Sequence, residues 1–129
     1  CLAAAVYFEA RGESEAGQRA VAQVVLNRVL DYRYPSTVCG VVFQNQSWRN
    51  RCQFSFACDG RPERISDKGS WSTAVKVAEE ALVGDYFDEE VGEATHYHAT
   101  YVNPRWSRYL RKVDRVGTHI FYQLRPGQR

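Results

Sequence analysis

A chain of 129 residues has room for one compact domain, since single domains typically run to about 100 to 150 residues, and residues 1–129 are expected to form one unit. With 44% hydrophobic and 25% charged residues and no repeat or low-complexity tract, the composition excludes disorder and solenoid architectures. A net charge of +2, evenly spread, excludes the basic stripe of a nucleic-acid binder, and no stretch approaches the roughly 18 apolar residues of a membrane span.

Leu2 to Ala10 is alanine-rich and apolar with Gly12 just beyond, which predicts a short buried helix ending near Arg11. Ser14 is placed to cap a second helix, in which Val21, Val24, Val25 and Val29 recur at helical spacing up to Leu30. Tyr34-Pro35-Ser36-Thr37 breaks the chain and caps a short third helix from Val38 to Phe43. After the polar run from Gln44 to Arg51, Gln53-Phe54-Ser55-Phe56 alternates like a strand, Asp59-Gly60 signals a turn, and Arg61 to Ile65 returns, making a small hairpin. Ser70 or Ser72 caps a fourth helix reaching roughly Val83, with Ala74, Val77, Ala78 and Ala81 on one face and Gly84 as a stop. The acidic run from Asp85 to Glu93 reads as an exposed connection. Ala94 to Val102 reads as extended, Trp106 to Leu110 as one helical turn and Gly117 to Leu124 as a closing strand. Helices dominate and no βαβ alternation appears, so the class is α+β.

The four cysteines, Cys1, Cys39, Cys52 and Cys58, fit two disulfides and an oxidising compartment better than a zinc site, because no C-x-x-C pair occurs. An extended Gln53 to Ala57 would hold Cys52 and Cys58 roughly 20 Å apart at about 3.3 Å per residue, so that each pairs with Cys1 or Cys39, whereas a tight loop allows a local bridge. The opening Cys-Leu-Ala-Ala-Ala-Val-Tyr lacks the basic start of a signal peptide. A start without Met fits a processed protein or a domain of a longer one.

The stretch richest in chemistry is Tyr7-Phe8-Glu9-Ala10-Arg11-Gly12-Glu13. A carboxyl set among apolar residues is hard to ionise, so its pKa rises and it keeps its proton near neutral pH, as a general acid for glycosidic cleavage must. The structural alternative is that Glu9 and Glu13 pair with Arg11 or Arg19, or cap the next helix.

This stretch also carries a resemblance. Glu9-Ala10-Arg11-Gly12-Glu13, Gly17-Gln18 through Val25-Leu26-Asn27-Arg28, Tyr34-Pro35-Ser36-Thr37-Val38-Cys39-Gly40-Val41-Val42, Gln53-Phe54-Ser55-Phe56 with Asp59-Gly60, and Gly117-Thr118-His119-Ile120-Phe121 together resemble the bacterial cell wall hydrolase family typified by the spore cortex-lytic enzymes. The motifs cover nearly the whole chain in the right order. The resemblance implies a small lysozyme-like domain, mainly helical with short hairpin strands, related to lytic transglycosylases that act on the β-1,4 bond between N-acetylmuramic acid and N-acetylglucosamine. It implies Glu9 as catalytic residue, first acid and then base, with a 1,6-anhydro product. Most glycosidases use two carboxylates instead, and for a true hydrolase Glu13 and Asp59 are the nearest second candidates, Glu13 reading better as structural and Asp59 as a turn residue.

In a lysozyme-like cleft a hairpin strand lines one wall, so Gln53 and Ser55, on one face by alternation, are expected to face sugar, with Phe54 and Phe56 toward the core, the alternative being a hairpin that simply packs. Thr95-His96-Tyr97-His98 departs from the resemblance, the spore enzymes being Tyr-rich here. His96, Tyr97 and His98 are expected to hydrogen-bond glycan hydroxyls. Trp48, Trp71 and Trp106 fit a core or rim role better than stacking on sugar.

The resulting expectation is an extracytoplasmic, monomeric peptidoglycan glycosidase of the periplasm or cell envelope, acting on glycan strands without metal or cofactor. Its rivals are a zinc amidase built on His96, His98 and His119, an ordinary muramidase leaving a reducing end, and a silent peptidoglycan-binding module.

Overall fold

The computed structural model describes residues 1–44, 65–84 and 86–125. Helices α1 (Leu2–Ala10), α2 (Glu15–Val29), α3 (Val38–Val42) and α4 (Lys68–Leu82) precede strand β1 (His96–Ala99), a 3₁₀ turn (Arg105–Arg108), and strands β2 (Arg111–Val116) and β3 (His119–Gln123). The strands form an antiparallel sheet in the order β1-β3-β2. The α+β class read from the sequence is therefore the class of the fold. The expected hairpin from Gln53 to Ile65 lies outside the described residues except for Ile65 itself.

Local chemistry sets the helix starts. The Ser14 hydroxyl accepts from the Gly17 N–H at 3.2 Å to cap α2, and Thr37 Oγ1 accepts from the Gly40 N–H at 3.0 Å to cap α3. Helix α4 begins earlier than expected, because its cap is Asp67 rather than Ser70 or Ser72. The Asp67 carboxylate takes both the Ser70 N–H at 3.0 Å and the Ser70 hydroxyl at 2.7 Å, and the Asp67 N–H donates to the buried Tyr7 hydroxyl at 3.1 Å. That second contact fixes the start of α4 against α1 and is invisible in the local sequence.

Two clusters of buried side chains make the core. One lies between the helices, joining Val6 and Tyr7 of α1, Ala22 and Val25 of α2, Val41 and Val42 of α3, and Val77 and Ala78 of α4. The other lies between α2 and the sheet, where Ala20 and Val24 meet Val91, Ala94 and Phe121. Helix α2 thus has core on two sides, and every residue from Ala20 to Val25 is buried. The tyrosine of β1, Tyr97, packs against both clusters. Trp71 packs on the helical cluster, in keeping with its core reading.

Strand β2 was not evident in the sequence, since Arg-Lys-Val-Asp-Arg-Val carries charge at most positions. An edge strand tolerates and benefits from such charge, because it discourages pairing with other chains. The register shifts between Lys112 and Asp114, and Val113 and Val116 pack on the sheet-side cluster. The turn into β3 needs Gly117, at φ +60°, where a Cβ would also stand 2.7 Å from Glu13 Oε1.

Cys1 is bonded to Cys39, tying the start of α1 to α3. This removes the arrangement in which Cys52 and Cys58 each pair with Cys1 or Cys39; both lie outside the described residues. The bridge closes a sequence separation of 38, so replacing both residues by serine is expected to cost about 2–4 kcal/mol and to lower the melting temperature by about 10 °C, measured by thermal unfolding against the oxidised protein.

Candidate active site

Glu9 lies one residue from the end of α1 and is half-buried. The Tyr97 hydroxyl, coming from β1, donates to Glu9 Oε1 at 2.6 Å. Burial pushes the Glu9 carboxyl above its ordinary value, while the Tyr97 hydrogen bond and the nearby Arg28 charge pull less strongly the other way. Tyr97 in turn is pushed well above the usual phenol range by burial and by the facing Glu9 carboxylate, so its hydroxyl stays a donor. The pair therefore presents a carboxyl whose protonation is favoured over that of an exposed one, with Oε1 engaged by the tyrosine.

Polar residues of α2 place this tyrosine. Gln23 Nε2 donates to the carbonyls of Asp88 and Gly92, both at 2.9 Å, and its Oε1 accepts from the Asp88 N–H at 2.9 Å. Asn27 Nδ2 donates to the carbonyls of Gly92 and Ala94 at 2.8 Å each, and buried Arg28 donates from Nε to the Thr95 carbonyl at 2.8 Å. Irregular backbone from residue 88 to 95 would otherwise bury unsatisfied carbonyls against the core. These side chains satisfy them and deliver the chain into β1 with Tyr97 aimed at Glu9. The apolar stripe of α2 does not by itself announce this role; its signal in the sequence is the Gln23, Asn27 and Arg28 set within the valine run.

The pleat separates the histidines. His96 and His98 stand opposite Tyr122 and Ile120 of β3, whereas Tyr97 and Ala99 stand opposite Phe121 and His119, so His119 shares the face of Tyr97 and the other two do not. His96 packs its ring on Trp106 at 5.3 Å, and burial, with Arg28 and Arg33 nearby, pushes its pKa down to about 4. His98 has both ring nitrogens engaged, Nδ1 with the Ala99 carbonyl at 2.7 Å and Nε2 with the Tyr122 hydroxyl at 2.8 Å. The three-histidine zinc arrangement is thereby corrected: successive strand residues point to opposite faces, and among the described residues no group of three His, Cys, Asp or Glu is set to hold a metal. Of the residues expected to touch sugar, Tyr97 is brought to Glu9, His96 and His98 pack on the opposite sheet face with Trp106, and Gln53 and Ser55 lie outside the described residues.

Glu13 is engaged elsewhere. Its Oε1 accepts from the Thr118 N–H at 2.7 Å and from the Thr118 hydroxyl at 2.8 Å, pinning the β2–β3 turn to the end of α1. Burial would raise its carboxyl, but the two Thr118 bonds and the His119 imidazole outweigh this and hold it below the ordinary carboxylate value.

Residues 12–122, which carry α2, the Glu13–Thr118 contact and all of the sheet but Gln123, match the family described as Cell Wall Hydrolase. The chain belongs to that family. Glu9 falls just before the matched span. Among its relatives in this family, the spore cortex-lytic enzyme of Bacillus cereus is 32% identical over 120 residues, covering 93% of this chain and 42% of that protein. That of Halalkalibacterium halodurans is 33% identical over 120 residues, covering 93% of this chain and 33% of that protein. The chain thus spans less than half the length of these relatives. The fold agrees with the crystal structure of the catalytic domain of the Bacillus cereus SleB protein, at a TM-score of 0.71 and 33% identity over 95% of this chain and 86% of that one. It agrees equally with the catalytic domain of the germination-specific lytic transglycosylase SleB from Bacillus anthracis, at a TM-score of 0.70 and 33% identity over 95% and 90% of the two chains. A mainly helical α+β domain with a small antiparallel sheet matches the lysozyme-like architecture expected of such a family member.

Proposed function

We propose that the chain is a peptidoglycan glycosidase that cuts the β-1,4 bond between N-acetylmuramic acid and N-acetylglucosamine as a lytic transglycosylase, with Glu9 as its catalytic residue. The observation that carries this reading is the half-buried Glu9 carboxyl held by the Tyr97 hydroxyl at 2.6 Å, within a family whose solved relatives include one described as a lytic transglycosylase. With Oε1 occupied by Tyr97, Glu9 delivers its proton from Oε2 to the glycosidic oxygen as the bond from that oxygen to C1 of the muramic acid breaks. The resulting carboxylate takes the proton of the C6 hydroxyl as that oxygen bonds to C1, leaving a 1,6-anhydro ring and returning Glu9 to its protonated form. No net proton is consumed. A second carboxylate is not required, and Glu13, tied to Thr118, is suited to hold the fold. Gln53 and Ser55 are assigned to the sugar-facing wall by strand alternation. Such a substrate places the protein's work outside the cytoplasm, in keeping with the Cys1–Cys39 bridge.

Mass spectrometry of the soluble products from purified sacculi tests this. Anhydro-muropeptides formed equally with and without a chelator are expected. Reducing-end sugars would replace the transglycosylase by a hydrolase, freed stem peptides by an amidase, and no soluble product by a binding module.

A further inference from the structure

His119 is a buried imidazole that the mechanism above does not use. It is 8% exposed, and its Nδ1 is shut off from solvent with no hydrogen-bond partner. The nearest charge is Glu13 Oε1 at 3.8 Å, too far for a hydrogen bond but close enough for the carboxylate to favour a proton on Nδ1 rather than on Nε2. Glu13 cannot wander, because the same oxygen is held by both donors of Thr118. Burial pushes the imidazole pKa below the ordinary histidine value, with Glu13 opposing and His98 adding to the shift, so the ring is neutral at neutral pH. A neutral ring with its proton on Nδ1 leaves Nε2 as an acceptor. Nε2 has no hydrogen-bond partner among the described residues, yet it is not among the buried unsatisfied atoms, so it opens to solvent. The ring stands edge-on to Tyr97 at 5.0 Å, on the sheet face from which Tyr97 reaches Glu9.

We propose that His119 is a substrate-positioning residue: oriented by Glu13, it offers Nε2 beside the Glu9–Tyr97 pair as acceptor for a hydroxyl of the bound glycan. This rests on the glycosidase reading and deepens it. It also gives the Glu13–Thr118 contact a purpose beyond the turn, since the carboxylate that pins the β2–β3 connection is the one that sets the tautomer of His119. The arc Glu9, Tyr97, His119, Glu13 then runs from the cleaving carboxyl to the orienting one.

The test uses the Glu9→Gln chain, which is to hold a glycan without cutting it, and a peptide-free tetrasaccharide of alternating N-acetylglucosamine and N-acetylmuramic acid as probe. Adding His119→Ala is expected to weaken binding about tenfold, the size of one lost hydrogen bond, whereas His119→Gln, whose amide oxygen can reach the Nε2 position, is expected to recover most of it. Long-range ¹H–¹⁵N spectra of the Glu9→Gln chain are expected to show the Nδ1–H tautomer of His119 and a shift of Nε2 when the tetrasaccharide is added. Should His119→Ala fail to fold, the glutamine variant and these spectra decide the matter. Unchanged affinity in a folded His119→Ala variant, or an Nε2 signal indifferent to the glycan, would overturn the role of His119 and leave the glycosidase standing. No binding to the Glu9→Gln chain with His119 intact would overturn both.

Discussion

Glu9→Gln is expected to reduce the release of soluble muropeptides by about 100-fold to 10⁴-fold, the range attributable to a positioned general acid and base, while leaving the fold intact. Glutamine keeps the shape of the side chain and its carbonyl oxygen can still accept from Tyr97, so the variant removes the transferable proton and little else. The wild-type pH profile is expected to carry the same signature. The proposed first step needs a protonated Glu9, and burial holds that carboxyl above its ordinary value, so activity is expected to fall on the alkaline side as pH rises through the shifted pKa. Stability moves in the same direction. A carboxyl whose folded pKa exceeds its unfolded one binds more protons in the native state between the two values, so its contribution is complete below the unfolded pKa and is lost as pH rises through the folded pKa. Glutamine does not titrate. Glu9→Gln is therefore expected to melt higher than wild type at neutral pH, with the gap closing as pH falls toward the ordinary carboxylate range. Thermal melts of the two proteins across pH check this, and equal melting temperatures throughout would show that Glu9 is not desolvated. A catalytic group kept at a cost to stability is a common pattern at active sites.

Phe121→Ala should produce the largest loss of stability. Phe121 is fully buried in the middle of β3, among Ala20 and Val24 of α2, Val91 and Ala94. Removing a buried phenyl ring costs about 3–5 kcal/mol, a large part of the roughly 5–15 kcal/mol that holds a domain together, and lowers the melting temperature by about 10–20 °C. Function should suffer beyond the unfolded fraction, because the ring stands opposite Tyr97 in the sheet, 5.6 Å away, and supports it from the side of the core. Phe121→Leu fills most of the space and is expected to recover most of the stability. Activity per folded molecule, compared between the alanine and leucine variants at a temperature where both are folded, separates support of Tyr97 from general unfolding. An alanine variant with full activity per folded molecule would show that Tyr97 does not depend on this ring.

Helices α1 to α3 were legible because local chemistry decides them: an alanine-rich run, hydroxyl caps at Ser14 and Thr37, and valines at helical spacing. The start of α4 was misread, since the choice between Asp67 and the serines depends partly on the Tyr7 hydroxyl reaching over from α1. Strand β2 escaped because four of its six residues are charged and its two valines, Val113 and Val116, do not alternate, the register shifting between Lys112 and Asp114. The candidate acid was legible for a similar reason to the helices, as a lone carboxyl in an apolar run. Its partner was only half legible: Tyr97 was expected at the sugar, and the structure gives its hydroxyl to Glu9.

The histidines draw the line between the two kinds of information. Spacing along the chain put His96 and His98 on one face of a strand, which is a local consequence of the pleat and held true. Whether His119 would join them depended on the register of β3 against β1, a pairing between residues far apart in sequence that no local pattern encodes. That register sends His119 to the side of Tyr97 and Glu13. The amino-acid sequence by itself determined helices α1 to α3, a carboxyl set in an apolar run and the family's motifs, because each rests on neighbours along the chain. Only the tertiary structure decided which side chains meet that acid, because those meetings depend on strand register and on how α2 holds the backbone that leads into β1.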